Sequence, residues 1–194
     1  MAPILVVCSG NICRSPIAEG LLRRALDRRF GQAAPSVSSA GTIAFDGNLP
    51  SPGSVTAAAE RGVDIASHRG TALTDDAIRG ADLCVCMAAE HRDEIALRVP
   101  SAADRAFTLK ELVRLLETTA PAAPTGPETL AGRVGEAATV RADRGTPNPF
   151  DEDVVDPLGM PLDTYRAVAW ELDEWVDRLA TALYGPVPVA AEGR

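Results

Sequence analysis

Hydrophobic residues occur along the chain in two patterns, short continuous runs and longer stretches with helical spacing. The first run, residues 4–7, is apolar throughout and rich in β-branched side chains, which is typical of a strand buried on both faces of a parallel sheet. Residues 36–40, 81–87 and 106–109 are candidates for three further short strands. The chain is therefore expected to contain four short, buried strands.

The stretches between these runs have the three- and four-residue spacing of amphipathic helices. Pro16 is predicted to open the first helix, because a first helical residue needs no partner for its backbone N–H. Further helices are predicted over residues 54–61, 89–97, 110–117 and 128–143. The last helix has the clearest apolar stripe, which begins at Leu162 and stops before Gly185. Strands that alternate with helices indicate an α/β fold, with a parallel sheet and helices on both faces.

The length of 194 residues suits one domain with a sizeable core. We predict that this domain spans residues 1–185 and that residues 186–194 form a flexible tail. Composition changes abruptly at residues 118–127, where Thr, Ala, Pro and Gly predominate. Such a composition is typical of a linker.

Charge and hydropathy narrow the classes of function. The net charge of -8 argues against a broad nucleic-acid surface, which needs clustered Lys and Arg. No segment approaches the roughly 18 consecutive apolar residues of a membrane span, and the N-terminus has no basic region of a secretion signal. Four cysteines without such a signal are typical of reduced thiols. We therefore predict a cytoplasmic protein that binds no nucleic acid and has no membrane span.

The segment that carries chemistry lies between the first strand and the first helix. It reads Cys-Ser-Gly-Asn-Ile-Cys-Arg-Ser-Pro, and its loop residues are Ser9, Gly10, Asn11, Ile12, Cys13, Arg14 and Ser15. A tight turn at this place points backbone N–H groups at one anion, beside the positive end of the helix dipole. Gly10 is expected to relieve a steric conflict, and Asn11 is a residue type that enters the left-handed region. Arg14 adds a planar fork that matches two phosphate oxygens.

Cys8 stands at the positive pole of this predicted helix. A helix N-terminus and a nearby cation both stabilise the thiolate form of cysteine, and Ser15 can donate its hydroxyl to the sulfur. We therefore expect Cys8 to be an ionised nucleophile, with its electrophile held in the loop that follows it.

These residues resemble the Cys-x5-Arg-Ser signature of the low-molecular-weight protein tyrosine phosphatases. The resemblance covers residues 1–117 and 151–184, and residues 118–150 are interpreted as an insertion like that of some bacterial, actinobacterial-like members. It implies a three-layer, doubly wound α/β fold with a four-stranded, mostly parallel sheet. It also implies a double displacement through a phosphocysteine, with no cofactor and no metal, on a phosphorylated protein whose phosphotyrosine is the substrate. The oligomeric state stays open.

The resemblance also assigns roles to residues outside the loop. The family's general acid is the Asp of an Asp-Pro pair, which here is Asp156. Its loop support matches Asn11, Ser15, Ser39 and His68. Cys13 matches a reversible disulfide partner that shields the nucleophile, although a small filler residue is nearly as plausible an interpretation. The predicted catalytic residues are therefore Cys8, Arg14 and Asp156.

Three alternative functions remain open at this point. A thiol-coupled arsenate reductase shares the fold and the loop but needs two more redox cysteines, and Cys84 and Cys86 lie in a predicted buried strand. A protein arginine phosphatase tends to carry Thr where this chain has Ile12, and an apolar residue there favours a flat aromatic ester. The third alternative is a phosphate-binding module without catalysis.

One departure from the family bears on the substrate. Tyrosine-directed members usually have aromatic residues directly after the Asp-Pro pair, whereas this chain has Leu158 and Gly159. Phe45 or Tyr165 is the candidate for a compensating aromatic surface.

Overall fold

The computed structural model describes residues 3–122, 126–145 and 151–187. In these residues the strands form one sheet: β1 (Ile4–Cys8), β2 (Val37–Gly41), β3 (Leu83–Cys86) and β4 (Ala106–Thr108). Their order in the sheet is β2-β1-β3-β4, and each neighbouring pair is parallel. The prediction of a four-stranded, doubly wound α/β fold is thereby confirmed, and the sheet is parallel throughout.

The central strand β1 is buried on both faces, as its continuous apolar run predicts. Ile4 and Val6 point into one core cluster, whereas Leu5 and Val7 point into the other. Ile4 is in register with Val37 on one side and with Leu83 on the other. The loop that follows β1 lies at the carboxyl edge of the sheet, where α/β proteins bind ligands. Since β1 is a central strand, this loop lies near the middle of that edge.

Helices cover both faces of this sheet. In the described residues they are α1 (Arg14–Phe30), α2 (Pro52–Glu60), α3 (Asp75–Gly80), α4 (Ala89–Arg98), α5 (Leu109–Glu117), α6 (Leu130–Arg144) and α7 (Leu162–Tyr184). α1, α5 and α7 supply much of the larger core cluster, and α3 and α4 pack on the opposite face. The long helix α7 contacts α1, α2 and α5, so its apolar stripe closes one layer of the domain.

The bounds of several helices differ from the sequence prediction by one or two residues, and two differences have a clear physical reason. α1 begins at Arg14, two residues before the predicted start, so Pro16 lies in the first turn, where its missing N–H still needs no partner. α3 was not predicted, because it has only six residues and buries only Ile78. A helix so short has no apolar periodicity to detect.

The predicted insertion contains a helix that packs on the domain. α6 buries Leu130, Val134 and Ala137 in the larger core cluster. The guanidinium of Arg141 donates to the carbonyl of Ala106 at 2.8 Å and lies over the ring of Phe107. The extent of the single domain and of the insertion stay predictions, and residues 188–194 of the predicted tail lie outside the described residues.

Candidate active site

The loop after β1 turns sharply because of two backbone features. Asn11 has a φ of 52°, and it is the non-glycine residue with positive φ in the described part of the chain, as the sequence suggested. Gly10 has no positive φ, so its backbone conformation does not require a glycine, contrary to expectation. The steric need for a glycine lies at Gly41 of β2, where an added Cβ would stand 2.4 Å from the carbonyl oxygen of Ser9 and 2.9 Å from the amide nitrogen of Asn11. Glycine at position 41 therefore lets the loop pack against the neighbouring strand.

Two hydrogen-bond donors converge on the sulfur of Cys8. The amide N–H of Asn11 donates to Cys8 Sγ at 3.3 Å, and Ser15 Oγ lies 2.9 Å from the same sulfur. Ser15 Oγ accepts from Asn11 Nδ2 at 2.8 Å, so the hydroxyl hydrogen of Ser15 is free to point at Cys8. Hydrogen bonds to a charged group contribute about 1.5–3 kcal/mol each. Together with the start of α1, these donors stabilise negative charge on a sulfur that is only 2% exposed.

A second layer of polar contacts holds Asn11 in place. Its side-chain amide donates to Ser39 Oγ at 2.8 Å and accepts from the backbone N–H of Thr71 at 2.8 Å. Ser39 donates to Glu19 Oε2 at 2.6 Å. His68 Nε2 lies 3.1 Å from the carbonyl oxygen of Asn11. Ser39 and His68 thus contact the loop, and their predicted supporting role agrees with these contacts; sequence reasoning missed Glu19 and Thr71.

Arg14 and Asp156, which are 142 positions apart, meet beside the loop. Arg14 Nη2 donates to Asp156 Oδ2 at 2.7 Å and to Ser9 Oγ at 3.1 Å, and Nη1 donates to the carbonyl of Val154 at 3.1 Å. The Nε of Arg14 is buried and has no hydrogen-bond partner among the described residues. A buried guanidinium N–H without a partner is costly. This donor is therefore available for an oxygen of a bound anion.

The segment that carries Asp156 is fastened to the end of β3 and to α4. The N–H of Val154 donates to the carbonyl of Met87 at 2.8 Å. Asp153 Oδ1 accepts from the N–H of Ala89 at 2.7 Å, so this carboxylate caps α4, whose own N-cap residue provides no side-chain bond. Asp156 Oδ1 accepts from the N–H of Leu158 at 3.1 Å. Asp156 is thereby held at the mouth of the loop, with its side chain 43% exposed.

Another acid of the same segment is buried. The side chain of Glu152 is only 3% exposed, and its Oε2 lies 3.3 Å from Arg92 Nη1. Burial and the nearby carboxylate of Glu111 raise the pKa of Glu152 to about 7. Of the acids between residues 151 and 163, Glu152 thus packs inward toward α4 and α5, whereas Asp156 contacts the guanidinium of the loop.

The three remaining cysteines are buried thiols whose pKa is raised by burial. Cys13 Sγ lies 3.3 Å from Ser51 Oγ, and burial raises the pKa of its thiol. Cys84 and Cys86 are fully buried in β3, where burial raises the pKa of Cys84 to about 11 and that of Cys86 well above its usual value. All four cysteines are free thiols. The redox role of Cys13 stays a prediction, and Cys84 and Cys86 are core residues, as expected.

One further side chain of the site was missed by sequence reasoning. His91 of α4 is 1% exposed, and its Nε2 lies 2.9 Å from Ser9 Oγ. A lone histidine in a predicted helix, 82 positions from the loop, gives no sequence signal of such a contact. The parallel order of β1 and β3 creates it, because the ends of both strands open on the same edge.

Two other kinds of site are not seen in residues 3–122, 126–145 and 151–187. No cluster of three or more His, Cys, Asp or Glu residues there could hold a metal ion. No helix there is both long and apolar enough to cross a bilayer.

The fold and the loop define a cysteine-dependent phosphatase. They place a cysteine and an arginine on one turn, at the carboxyl edge of a parallel sheet. A family model described as low molecular weight phosphotyrosine protein phosphatase matches residues 3–121, which is more than half of the chain. The chain belongs to this family, and it is a phosphoric monoester hydrolase. The match ends before Asp156, so the interpretation of that residue rests on the Asp-Pro resemblance and on its contact with Arg14.

The relatives of this chain include phosphatases of two kinds. A protein-arginine-phosphatase of Geobacillus stearothermophilus is 33% identical over 182 residues, which cover 93% of this chain and 95% of that protein. A probable low molecular weight protein-tyrosine-phosphatase of Ralstonia solanacearum, EpsP, is 43% identical over 109 residues, which cover 56% of this chain and 71% of that protein. The crystal structure of a low molecular weight protein tyrosine phosphatase from T. tengcongensis has a TM-score of 0.68 at 30% identity, covering 92% of this chain and 97% of that one.

Proposed function

We propose that this protein hydrolyses phosphotyrosine in phosphorylated proteins through a phosphocysteine intermediate. The observation that carries the proposal is the convergence of Cys8, Arg14 and Asp156 around one loop. The sulfur accepts from Asn11 and Ser15, and the guanidinium bridges the loop to the carboxylate of Asp156. This arrangement joins a nucleophile, a phosphate binder and a proton donor without a cofactor.

In the first step, Cys8 attacks phosphorus in line with the bond to the tyrosine oxygen. A sulfur lone pair forms the S–P bond while the P–O bond breaks, and its electrons pass to the leaving oxygen. Asp156 in its protonated form donates a proton to that oxygen, so neutral tyrosine departs. Arg14 and the loop amides stabilise the charge on the three remaining phosphate oxygens.

In the second step, water attacks the phosphocysteine. Asp156, now a carboxylate, takes a proton from the water as the new P–O bond forms. The S–P bond breaks, its electrons return to sulfur, and inorganic phosphate leaves. Cys8 is then a thiolate again, stabilised by Ser15 and the N-terminus of α1.

Exposed apolar side chains on the two segments that contact the loop, called the rim below, support an aromatic substrate. Ile43 and Phe45 follow β2 and are 73% and 76% exposed, and Leu158 and Met160 follow Asp156 and are 57% and 52% exposed. Large apolar side chains exposed together around a site indicate a contact surface. Tyr165 does not belong to this rim, because its ring is buried against Gly53. Of the two aromatic candidates, Phe45 is therefore the one able to contact a phenyl ring.

A protein arginine phosphatase is the second candidate function, and the similarity to the Geobacillus enzyme along 93% of the chain favours it. Ile12 argues for tyrosine. Its side chain is half-buried in the loop, and it has no polar atom to accept from the N–H groups of a phosphorylated guanidinium. Leaving such a donor unpaired costs about 1–3 kcal/mol.

We expect a phosphotyrosine peptide to be turned over with a kcat/KM about 10- to 100-fold above that of the matched phosphoarginine peptide. Ile12→Thr should narrow this ratio, since the hydroxyl supplies the missing acceptor. Steady-state phosphate release from the two peptides, with wild type and variant, measures both values. A higher kcat/KM on phosphoarginine in the wild type would assign the second function instead.

The other two alternatives find less support. An arsenate reductase relay needs accessible thiols, whereas Cys84 and Cys86 are fully buried and burial raises the pKa of both. A module without catalysis has no need of Asp156 beside Arg14. The four free thiols support the proposed cytoplasmic location, and the charge of -8 supports a partner other than nucleic acid.

A further inference from the structure

The contact between His91 and Ser9 joins α4 to the phosphate-binding loop at the residue directly after the nucleophile. His91 Nε2 lies 2.9 Å from Ser9 Oγ, and the same oxygen lies 3.1 Å from Arg14 Nη2. His91 and Arg14 are 1% and 4% exposed. The three side chains thus form a partly buried chain of hydrogen bonds that ends on the guanidinium.

The direction of the hydrogen bond between Arg14 and Ser9 follows from which group can donate. A guanidinium only donates, so Ser9 Oγ accepts from Arg14. The hydroxyl hydrogen of Ser9 then points away from Arg14 and can be donated to His91 Nε2, 2.9 Å away, whereas an Nε2–H group would instead donate to the second lone pair of Ser9 Oγ. Donation by Ser9 requires a neutral imidazole with its proton on Nδ1, a buried atom without a hydrogen-bond partner among the described residues.

The surroundings of His91 favour the neutral ring. Burial lowers the pKa of His91, and the positive charge of Arg14 lowers it further, against opposing contributions from Glu90 of the same helix and from Asp153 and Asp156. Glu90 Oε1 lies 3.4 Å from Nε2, but its side chain is 74% exposed, so water screens this carboxylate.

We propose that His91 is a positioning residue for Arg14. Its Nε2 accepts the hydroxyl hydrogen of Ser9, and this fixes the Ser9 oxygen as an acceptor for the guanidinium of Arg14. With Nη1 on Val154 and Nη2 on Ser9 and Asp156, the plane of the guanidinium is held by three acceptors. The donor left over is the buried Nε. His91 therefore keeps this donor oriented for a phosphate oxygen without touching the substrate.

The test uses the full chain, with inorganic phosphate and p-nitrophenyl phosphate as probes. His91→Leu removes the acceptor, His91→Gln restores an acceptor at a similar reach, and Ser9→Ala removes the intermediary. Glu90→Gln is the matched control, since it removes the exposed charge beside the same nitrogen. Binding of phosphate is measured by calorimetry, kinetics give KM and kcat separately, and unfolding curves establish that each variant is folded.

We expect His91→Leu to weaken phosphate binding and to raise KM by about tenfold, with a smaller change in kcat. The reason is that Arg14, which binds the phosphate group in both the ground state and the transition state, is misplaced in this variant. His91→Gln should recover binding to within about threefold of wild type, and Glu90→Gln should leave it unchanged. In the Ser9→Ala background, His91→Leu should add no further loss, because the two side chains act through one chain of hydrogen bonds.

The proposal rests on the proposed function only for its kinetic readout, since phosphate binding is measured without turnover. The proposal is overturned when His91→Leu folds and binds phosphate like wild type. It is also overturned when His91→Leu reduces phosphate affinity as much in the Ser9→Ala background as in the wild type. Nitrogen-15 spectra of the imidazole in the wild type give a test that needs no variant at position 91. A neutral ring protonated on Nδ1 is expected, and a proton on Nε2 contradicts the proposal.

Discussion

Cys8→Ser should lower the turnover of p-nitrophenyl phosphate and of a phosphotyrosine peptide by about 10⁴-fold or more, because loss of a nucleophile removes the covalent route. A serine hydroxyl is not ionised near neutral pH, so the donors from Asn11 and Ser15 would no longer act on an anion. Steady-state kinetics measure the loss. Wild-type enzyme quenched in acid during turnover should carry one phosphate on the peptide that contains Cys8.

The control for this variant is Cys84→Ala. Cys84 is fully buried in β3, on the face opposite α1, so its loss should reduce stability without reducing turnover. Cys8→Ser should still bind inorganic phosphate, since Arg14 and the loop amides remain. A Cys8→Ser enzyme with more than about a tenth of wild-type turnover would show that the sulfur is not the nucleophile.

Asp156→Ala should reduce kcat by about 100-fold or more on esters with poor leaving groups, which is within the range of general acid catalysis. The effect should shrink across a series of aryl phosphates as the phenol becomes more acidic, because a good leaving group departs without a proton. Among the described acidic residues between positions 151 and 163, Asp156 is the one whose carboxylate contacts Arg14. Kinetics on the series give the dependence on the leaving group.

Asp163→Ala is the matched control for the acid. The side chain of Asp163 is 90% exposed and pairs with Arg166 on the surface of α7, so turnover should not change. An equal loss in Asp156→Ala across all leaving groups would remove Asp156 from the acid role and leave it as a partner of Arg14.

Much of the fold could be predicted because parallel strands buried on both faces must be apolar along their whole length. This rule locates β1 and β3, and the stripe of α7 is equally direct. α3 was not predicted, since its six residues bury only Ile78. The start of α1 was placed two residues late, because Pro16 is tolerated anywhere in the first turn.

The site was predictable where its chemistry is contiguous in sequence. Cys8 and Arg14 belong to one turn, and the resemblance to a family added Asp156. Thr71 and His91 were not predicted, because they reach the loop from distant segments. Glu19 was not predicted, because it acts on the loop only through Ser39. The glycine requirement was expected at Gly10, but it lies on the neighbouring strand at Gly41, and sequence alone does not show which strand packs there.

Nucleophilic attack by Cys8 depends above all on an ionised sulfur, which the absorbance of the thiolate measures directly. The difference between the wild type and Cys8→Ser isolates this sulfur, because burial raises the pKa of Cys13, Cys84 and Cys86 and keeps them protonated near neutrality. We expect thiolate absorbance in this difference at neutral pH. A difference that develops only under alkaline conditions, as for an ordinary thiol, would contradict this expectation.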